Sequence, residues 1–215
     1  MNLLFLNIGE LVQTEISHRK WVAGKDMASL RNIKNAYLYI ENEHISAFGK
    51  MEDLERKKLH AYTYDVPEID VSGRLLLPSF CDSHTHIVYA GSREIEYIDK
   101  IRGLSYEEIA KRGGGILNSA IRIAESSEQE LYESAYRRFM EMASYGTGAV
   151  EIKSGYGLDT ENELKILRVI QRLKETSLLT VKSTFLGAHA VPLRYKENQE
   201  EFVDYVINEM IPAVA

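Results

Sequence analysis

Two histidines separated by one residue end an apolar segment of the chain. They are His84 and His86, in the run LPSFCDSHTH over residues 77–86. Along a strand, residues two apart point to the same side, so both imidazoles are expected to aim at one point. Neutral imidazoles suit a zinc or iron ion, and a pair of core or surface histidines is the structural alternative. Their place at the end of an apolar strand, after Pro78 and Asp82, favours a metal site.

Strands alternate with helices after residue 77, and these elements must position the histidines. The alternation predicts an α/β fold with a parallel sheet and helices outside it. An open doubly wound sheet and a closed barrel both fit, but no glycine-rich dinucleotide motif follows the first strand. The barrel is preferred because barrel enzymes build their active sites at the carboxyl ends of strands. The predicted strands lie near 78–86, 148–153 and 180–187, and the main helices over 128–144, 161–175 and 200–211.

Helix starts and apolar stripes support these assignments. Three capping-box patterns, in which a hydroxyl and a carboxylate satisfy free N–H groups, are Ser105–Glu108, Ser127–Glu130 and Thr160–Glu163. Tyr145-Gly146 is a typical helix end. The predicted buried stripes are Leu131, Ala135, Phe139 and Met142; Leu164, Leu167, Ile170 and Leu173; and Phe202, Val206 and Met210.

Residues 1–75 are predicted to form a small all-β domain, and residues 76–215 the strand–helix domain. Residues 36–40 and 45–48 are predicted to pair as a hairpin. Residues 10–34 are polar without a clear period and are interpreted as a loop. Further strands are expected at 3–6, 65–71 and 75–77.

Composition and charge exclude several classes of protein. The net charge is -6 and the pI about 5.6, which argues against nucleic acid or an anionic membrane as a partner. Cys81 is the one cysteine, so no intramolecular disulfide forms and a reducing cytoplasm is expected. The apolar N-terminus lacks a basic region and a cleavage site, and no apolar run approaches the roughly 20 residues of a membrane span.

Several longer blocks resemble the imidazolonepropionase family of the amidohydrolase superfamily. The superfamily pattern is a β-rich start followed by the proline, aspartate and two histidines of residues 78–86. Ser79 and Cys81 depart from the usual glycine and aliphatic residue there, which is expected to affect local packing only. The family-specific blocks, in order along the chain, are AGSRE (90–94), LSYEEI (104–109), GGGI (113–116), EIKSGYGL (151–158) and TFLGAHAVP (184–192).

The resemblance implies a fold, an activity and a metal. The fold would be the first three strand–helix units of a metal-dependent hydrolase TIM (β/α)8 barrel, preceded by the N-terminal part of a small β-sandwich domain. The activity would be hydrolysis of the cyclic amide of 4-imidazolone-5-propanoate to N-formimidoyl-L-glutamate in histidine degradation. One divalent ion, zinc or iron, would activate the attacking water, with His84 and His86 as its first two ligands.

The resemblance also implies four substrate residues. Arg93 would bind the propionate carboxylate through its planar guanidinium, although a surface salt bridge to Glu94 or Glu96 is the structural alternative. Tyr156 would contact substrate through its hydroxyl, and His189 would polarise the scissile carbonyl or move a proton. Tyr106 is a weaker candidate for the same pocket. Packing is the alternative for each tyrosine, and a structural role for His189.

The chain is expected to be a fragment, because a barrel of this type takes roughly 250 residues. The 139 residues from Leu77 onward accommodate three strand–helix units. We therefore expect the isolated chain to be inactive and to bind metal weakly. The alternatives are another cyclic amidohydrolase or deaminase, and a non-catalytic relic half-barrel. The expected partner is the small-molecule substrate, and the family resemblance suggests a homodimer.

Overall fold

The computed structural model describes residues 2–15, 20–56, 66–111 and 114–215. The chain divides into two units, Met1–Pro78 and Ser79–Ala215. Within the described ranges, every helix is too short or too polar to cross a bilayer.

The first unit contains a mixed five-stranded sheet. Its strand order is β3-β2-β1-β4, and β5 also pairs with β1. The predicted hairpin is confirmed, since β2 and β3 pair antiparallel and Glu41 lies opposite His44 at the turn. The elements are β1 (Leu3–Val12), a 3-10 helix (Gly24–Ala28), β2 (Asn32–Glu41), β3 (His44–Lys50), α1 (Met51–Arg56), β4 (Glu68–Asp70) and β5 (Leu75–Leu76).

β1 runs well beyond the predicted strand 3–6. A bulge between Phe5 and Ile8 shifts its register against β2, and Asn7 in the bulge has a φ of 55°. The bulge moves later side chains to the other face, so Leu4 and Ile8 lie in different apolar clusters although they are four residues apart. The alternation of side chains therefore breaks at the bulge. The predicted loop over 10–34 was wrong at both ends, because β1 extends to Val12 and β2 begins at Asn32. Of the predicted strand 65–71, residue 65 lies outside the described residues.

The second unit is built on a parallel sheet with the order β6-β7-β8. Its three strands agree with the three predicted ones, and the pairing is parallel as expected. The chain is thus α/β in this unit. The strands are β6 (Phe80–Thr85), β7 (Thr147–Lys153) and β8 (Thr180–Thr184), and the helices are α2 (Glu94–Ile101), α3 (Tyr106–Lys111), α4 (Ile116–Glu125), α5 (Glu128–Ser144), α6 (Thr160–Thr176), a 3-10 turn (Leu193–Tyr195), α7 (Gln199–Tyr205), a π-helical turn (Val206–Met210) and α8 (Ile211–Val214).

Helices α5 and α6 cover one face of this sheet. The predicted stripes of α5 and of the last helix are confirmed, since Leu131, Ala135 and Phe139 are buried, as are Phe202, Val206 and Met210. The predicted stripe of α6 is confirmed at Ile170 and Leu173, but its first two positions are not. Leu164 and Leu167 are only half-buried. The buried positions of α6 are Glu163, Ile166, Val169, Ile170 and Leu173.

Two of the three predicted capping boxes are confirmed, at Ser105–Glu108 and Ser127–Glu130. The third was wrong. The N-cap of α6 is Asp159, whose carboxylate accepts a hydrogen bond of 2.8 Å from the Asn162 N–H. The Thr160 hydroxyl pairs instead with the Tyr205 hydroxyl at 2.8 Å. Because Asp159 caps the helix, the Glu163 side chain is available for other contacts.

Candidate functional site

His84 and His86 lie at the carboxyl end of β6. His84 is the penultimate residue of the strand, and His86 follows its last residue. Their ring centroids are 5.7 Å apart with planes inclined by 56°. His84 is exposed and His86 is half-buried. The two imidazoles therefore lie near one another, as the alternation of side chains along a strand predicts.

Two further aromatic rings pack against His86. The Tyr156 centroid is 4.8 Å from that of His86, and the His189 centroid is 4.9 Å from it; both rings are nearly parallel to the imidazole, at 21° and 24°. Tyr156 and His189 are themselves 5.5 Å apart. Tyr156 follows the end of β7, and His189 follows the end of β8. Three adjacent parallel strands thus bring four of the predicted residues to one edge of the sheet, which is where α/β proteins build sites.

The His86 ring has unsatisfied hydrogen-bonding capacity. Among the described residues, neither Nδ1 nor Nε2 has a hydrogen-bond partner, although both atoms are buried. Burial lowers the pKa of His86 below its usual 6.5, and the neighbouring imidazoles of His189 and His84 lower it further. The Ser154 backbone, near the ring but outside hydrogen-bonding geometry, acts on the pKa in the opposite direction. A buried, neutral and unpartnered imidazole nitrogen is an unusual arrangement in a folded protein and suits a metal ligand. Within the described ranges, no group of three or more His, Cys, Asp or Glu side chains is arranged to hold a metal.

Arg93 forms an ion pair with Glu96. It precedes α2, and its Nε and Nη2 atoms donate to one oxygen of Glu96 at 2.9 and 2.5 Å. The other oxygen of Glu96 accepts from the Gly115 N–H at 2.9 Å. The hydrogen bond from Arg93 lowers the pKa of Glu96 most, and the hydrogen bond from Gly115 lowers it further. The guanidinium also lines a cavity of about 560 Å³ with Asn118 and Arg122. The ion pair considered as a structural alternative is thus formed, and it holds the guanidinium in place.

Tyr106 begins α3, and its side chain lies outside the described part of the structure. Residue 113 of the glycine block lies outside the described residues altogether. The contribution of Tyr106 to the pocket stays a prediction.

A polar group on β7 was missed by sequence reasoning. Glu151 accepts hydrogen bonds from the Lys153 ammonium and from the Thr184 hydroxyl, the latter at 2.7 Å. The hydrogen bond from Lys153 lowers the pKa of Glu151 most, followed by that from Thr184. The nearby His84 imidazole also lowers it. Val150 and Ile152 are buried on the opposite, helix-covered face. The alternation of Val150 to Lys153 was the signal that could have identified a polar sheet face near the histidines.

The chain is similar to curated imidazolonepropionases over its full length, although no family model matches it. Identity is 53% over 215 residues to the protein of Christiangramia forsetii and 52% to that of Flavobacterium johnsoniae, each alignment covering all of this chain and 51% of the relative. Identity to the Clostridium tetani protein is 39% over 214 residues, which cover 50% of that relative. The chain thus spans about half the length of the curated relatives it matches.

Solved structures share the fold at much lower identity. Escherichia coli guanine deaminase superposes with a TM-score of 0.54 and 11% identity over 96% of this chain and 42% of its own. An uncharacterised metal-dependent hydrolase from Pyrococcus furiosus gives 0.52 and 13% over 86% of this chain and 50% of its own. At such identities the likeness concerns the fold alone. The resemblance to the imidazolonepropionase family that the sequence blocks predict is confirmed, by contrast, along all 215 residues.

Proposed function

We propose that this chain forms part of the active site of a metal-dependent hydrolase that opens the cyclic amide of 4-imidazolone-5-propanoate to N-formimidoyl-L-glutamate. The observation that carries the proposal is the His86 imidazole, whose two nitrogens have no hydrogen-bond partner among the described residues and whose ring packs against both Tyr156 and His189. The similarity to curated imidazolonepropionases supports the choice of substrate. The guanine deaminase likeness does not favour deamination, because at 11% identity it extends only to the fold.

The parallel sheet β6-β7-β8 supports the barrel interpretation. In a (β/α)8 barrel, consecutive strands lie side by side and their carboxyl ends carry the active site. The three strands are adjacent in chain order, and the four aromatic rings lie at or just after their carboxyl ends. We take them as the first three strands of such a barrel, and the first unit as part of the accompanying small β domain.

His84 and His86 are the residues that would hold one divalent ion, zinc or iron. Two neutral imidazoles fit either metal. When bound, the ion would supply Lewis acidity, polarising the amide carbonyl and lowering the pKa of a water molecule toward ~7. Protein zinc sites use at least three protein ligands. Since no third donor joins the pair among the described residues, weak binding by this chain alone is expected.

The chain's own residues would bind the substrate and move protons. Hydrolysis adds a hydroxyl to the carbonyl carbon and a proton to the ring nitrogen that leaves. His189 can hydrogen-bond the carbonyl or transfer a proton, and the Tyr156 hydroxyl can bind the ring. Arg93 would receive the propionate carboxylate bidentately, with Glu96 holding its guanidinium in register. Tyr106 is the fourth proposed substrate residue.

Metal affinity and turnover of the 215-residue chain test the proposal. Competition with a chelating dye should give weak Zn²⁺ binding that His84→Ala and His86→Ala each abolish. The matched control is His44→Ala, since His44 is the first residue of β3 in the first unit. Equal binding by all three variants would contradict the metal assignment. Turnover of 4-imidazolone-5-propanoate by the chain alone would overturn the expectation that it is inactive.

A further inference from the structure

A buried carboxylate lies directly behind the loop that carries Tyr156. The Glu163 side chain is fully buried near the start of α6. Its oxygens accept hydrogen bonds from the backbone N–H groups of Gly155 at 2.9 Å, Gly157 at 2.6 Å and Leu158 at 3.1 Å. Hydrogen bonds to a charged acceptor are among the stronger ones in proteins. One side chain thus satisfies the loop on both sides of Tyr156.

The loop contains one residue in a conformation that its side chain disfavours. Gly155 has a φ of +111°, and Leu158, which carries a side chain, has a φ of +62°. A Cβ at Gly157 would lie 2.4 Å from the Glu163 nitrogen, so the loop backbone packs closely on the first turn of α6. Such backbone geometry persists where surrounding contacts stabilise it. The Glu163 carboxylate provides those contacts.

The same loop is joined to the segment that leads to His189. The Ser154 hydroxyl accepts from the Leu186 N–H at 3.0 Å, and the Ser154 N–H donates to the Thr184 carbonyl at 2.9 Å. A Cβ at Gly155 would lie 2.8 Å from the Cβ of His189. Displacement of the loop would therefore affect both Tyr156 and His189.

We infer that Glu163 is a positioning residue that holds the 154–158 loop so that Tyr156 and His189 pack against His86. It acts through backbone N–H groups and is not itself assigned a chemical step. The inference rests on the proposed function only for what the ring cluster does, since the arrangement of the rings is a structural property of the chain. It assigns a role to the buried acid that the sequence pattern had suggested for a capping box.

The test compares Glu163→Gln and Glu163→Asp with Glu161→Gln, a neutralisation at an exposed position of the same helical turn. Glu163→Gln replaces one accepting oxygen by an NH₂ group, which cannot accept from the backbone N–H groups of the loop. Glu163→Asp keeps both oxygens and the charge but has a shorter side chain. In the Glu163 variants, hydrogen exchange measured by NMR should be faster than in wild type at the amides of Gly155, Gly157 and Leu158. This acceleration should be at least about tenfold greater than that at the core amides of Ile152 and Val181. The Overhauser contacts between the Tyr156 and His86 rings should weaken, more in the Gln than in the Asp variant.

Two results would overturn the inference. One is unchanged Tyr156–His86 contacts with uniformly faster exchange, which would mean that Glu163 stabilises the whole unit without positioning the loop. The other is failure of both Glu163 variants to fold while the Glu161 variant folds, which would likewise assign a general structural role. A wild-type chain that binds no Zn²⁺ would count against the proposed function alone, because these readouts need no metal.

Discussion

The phenol ring of Tyr156 lies against the imidazole of His86, with centroids 4.8 Å apart and planes inclined by 21°. Tyr156 also packs against the apolar core of the second unit. The residue therefore has two separable parts: a ring that contributes to packing, and a hydroxyl that the proposed function uses for substrate.

Tyr156→Phe should leave the free energy of unfolding within about 0.5 kcal/mol of wild type, because the ring contact is kept. Tyr156→Ala should lower it by about 1–3 kcal/mol, less than a fully buried aromatic truncation, because the ring is only half-buried. Urea denaturation measures both values. Equal losses in the two variants would show that the hydroxyl, not the ring, supports the fold.

The pH dependence of stability should report His86. Burial first, and then the neighbouring imidazoles, hold its pKa below 6.5 in the folded chain. As the pH falls through the unfolded-state value near 6.5, the unfolded chain therefore binds a proton that the folded chain does not. The contribution of His86 to stability is complete above about pH 6.5 and is lost as the pH falls toward the lower folded pKa.

The measurement is the slope of unfolding free energy between pH 7 and pH 5 in chelator-treated protein, a range chosen around the ordinary histidine value. His86→Ala should flatten the slope, because the variant has no imidazole to titrate at this position. A His86→Ala variant with the wild-type slope would contradict the assignment.

The cap of α6 should be Asp159 and not Thr160. Asp159→Ala removes the 2.8 Å acceptor for the Asn162 N–H and should cost about 1 kcal/mol, within a typical range of roughly 0.5–2. Glu161→Ala, in the same turn but exposed, should cost less. Chemical denaturation of the two variants in parallel distinguishes them, and equal losses would argue against a specific cap.

Arg93 should select for a carboxylate. 3-(Imidazol-4-yl)propanoate is a suitable probe, since it joins a five-membered ring to the same side chain as the proposed substrate. Arg93→Ala should weaken its binding about tenfold or more in an NMR titration, because a bidentate charged contact is lost. Arg102→Ala, at an exposed position just after α2, is the control. If the methyl ester of the probe bound as well as the acid, the carboxylate role would be wrong.

Sequence reasoning succeeded where a local pattern is also the physical cause. The hairpin, the three parallel strands and two capping boxes follow from side-chain alternation, chain order and short-range hydrogen bonds. The positions of His86, Tyr156 and His189 after three consecutive strands also place them at one edge of the sheet.

Features that depend on contacts outside the local sequence pattern were not predictable from the sequence. The bulge at Asn7 reverses the alternation that defines a strand, so β1 was expected to end too early. Glu163 fits a capping box by spacing, yet its carboxylate accepts hydrogen bonds from the loop just before α6, whose turn conformation the spacing does not reveal. The Glu151–Lys153–Thr184 group depends on the register between β7 and β8, which no single segment encodes.

Metal ligation by His84 and His86 is tested most directly by long-range ¹H–¹⁵N NMR spectra of the histidine rings during Zn²⁺ titration. We expect one ring nitrogen of His84 and one of His86 to shift together in a single saturable step. The ring of His44, at the start of β3, should not shift with them. Shifts confined to His44, or no shift of His84 and His86 at millimolar Zn²⁺, would contradict the assignment of this pair as metal ligands.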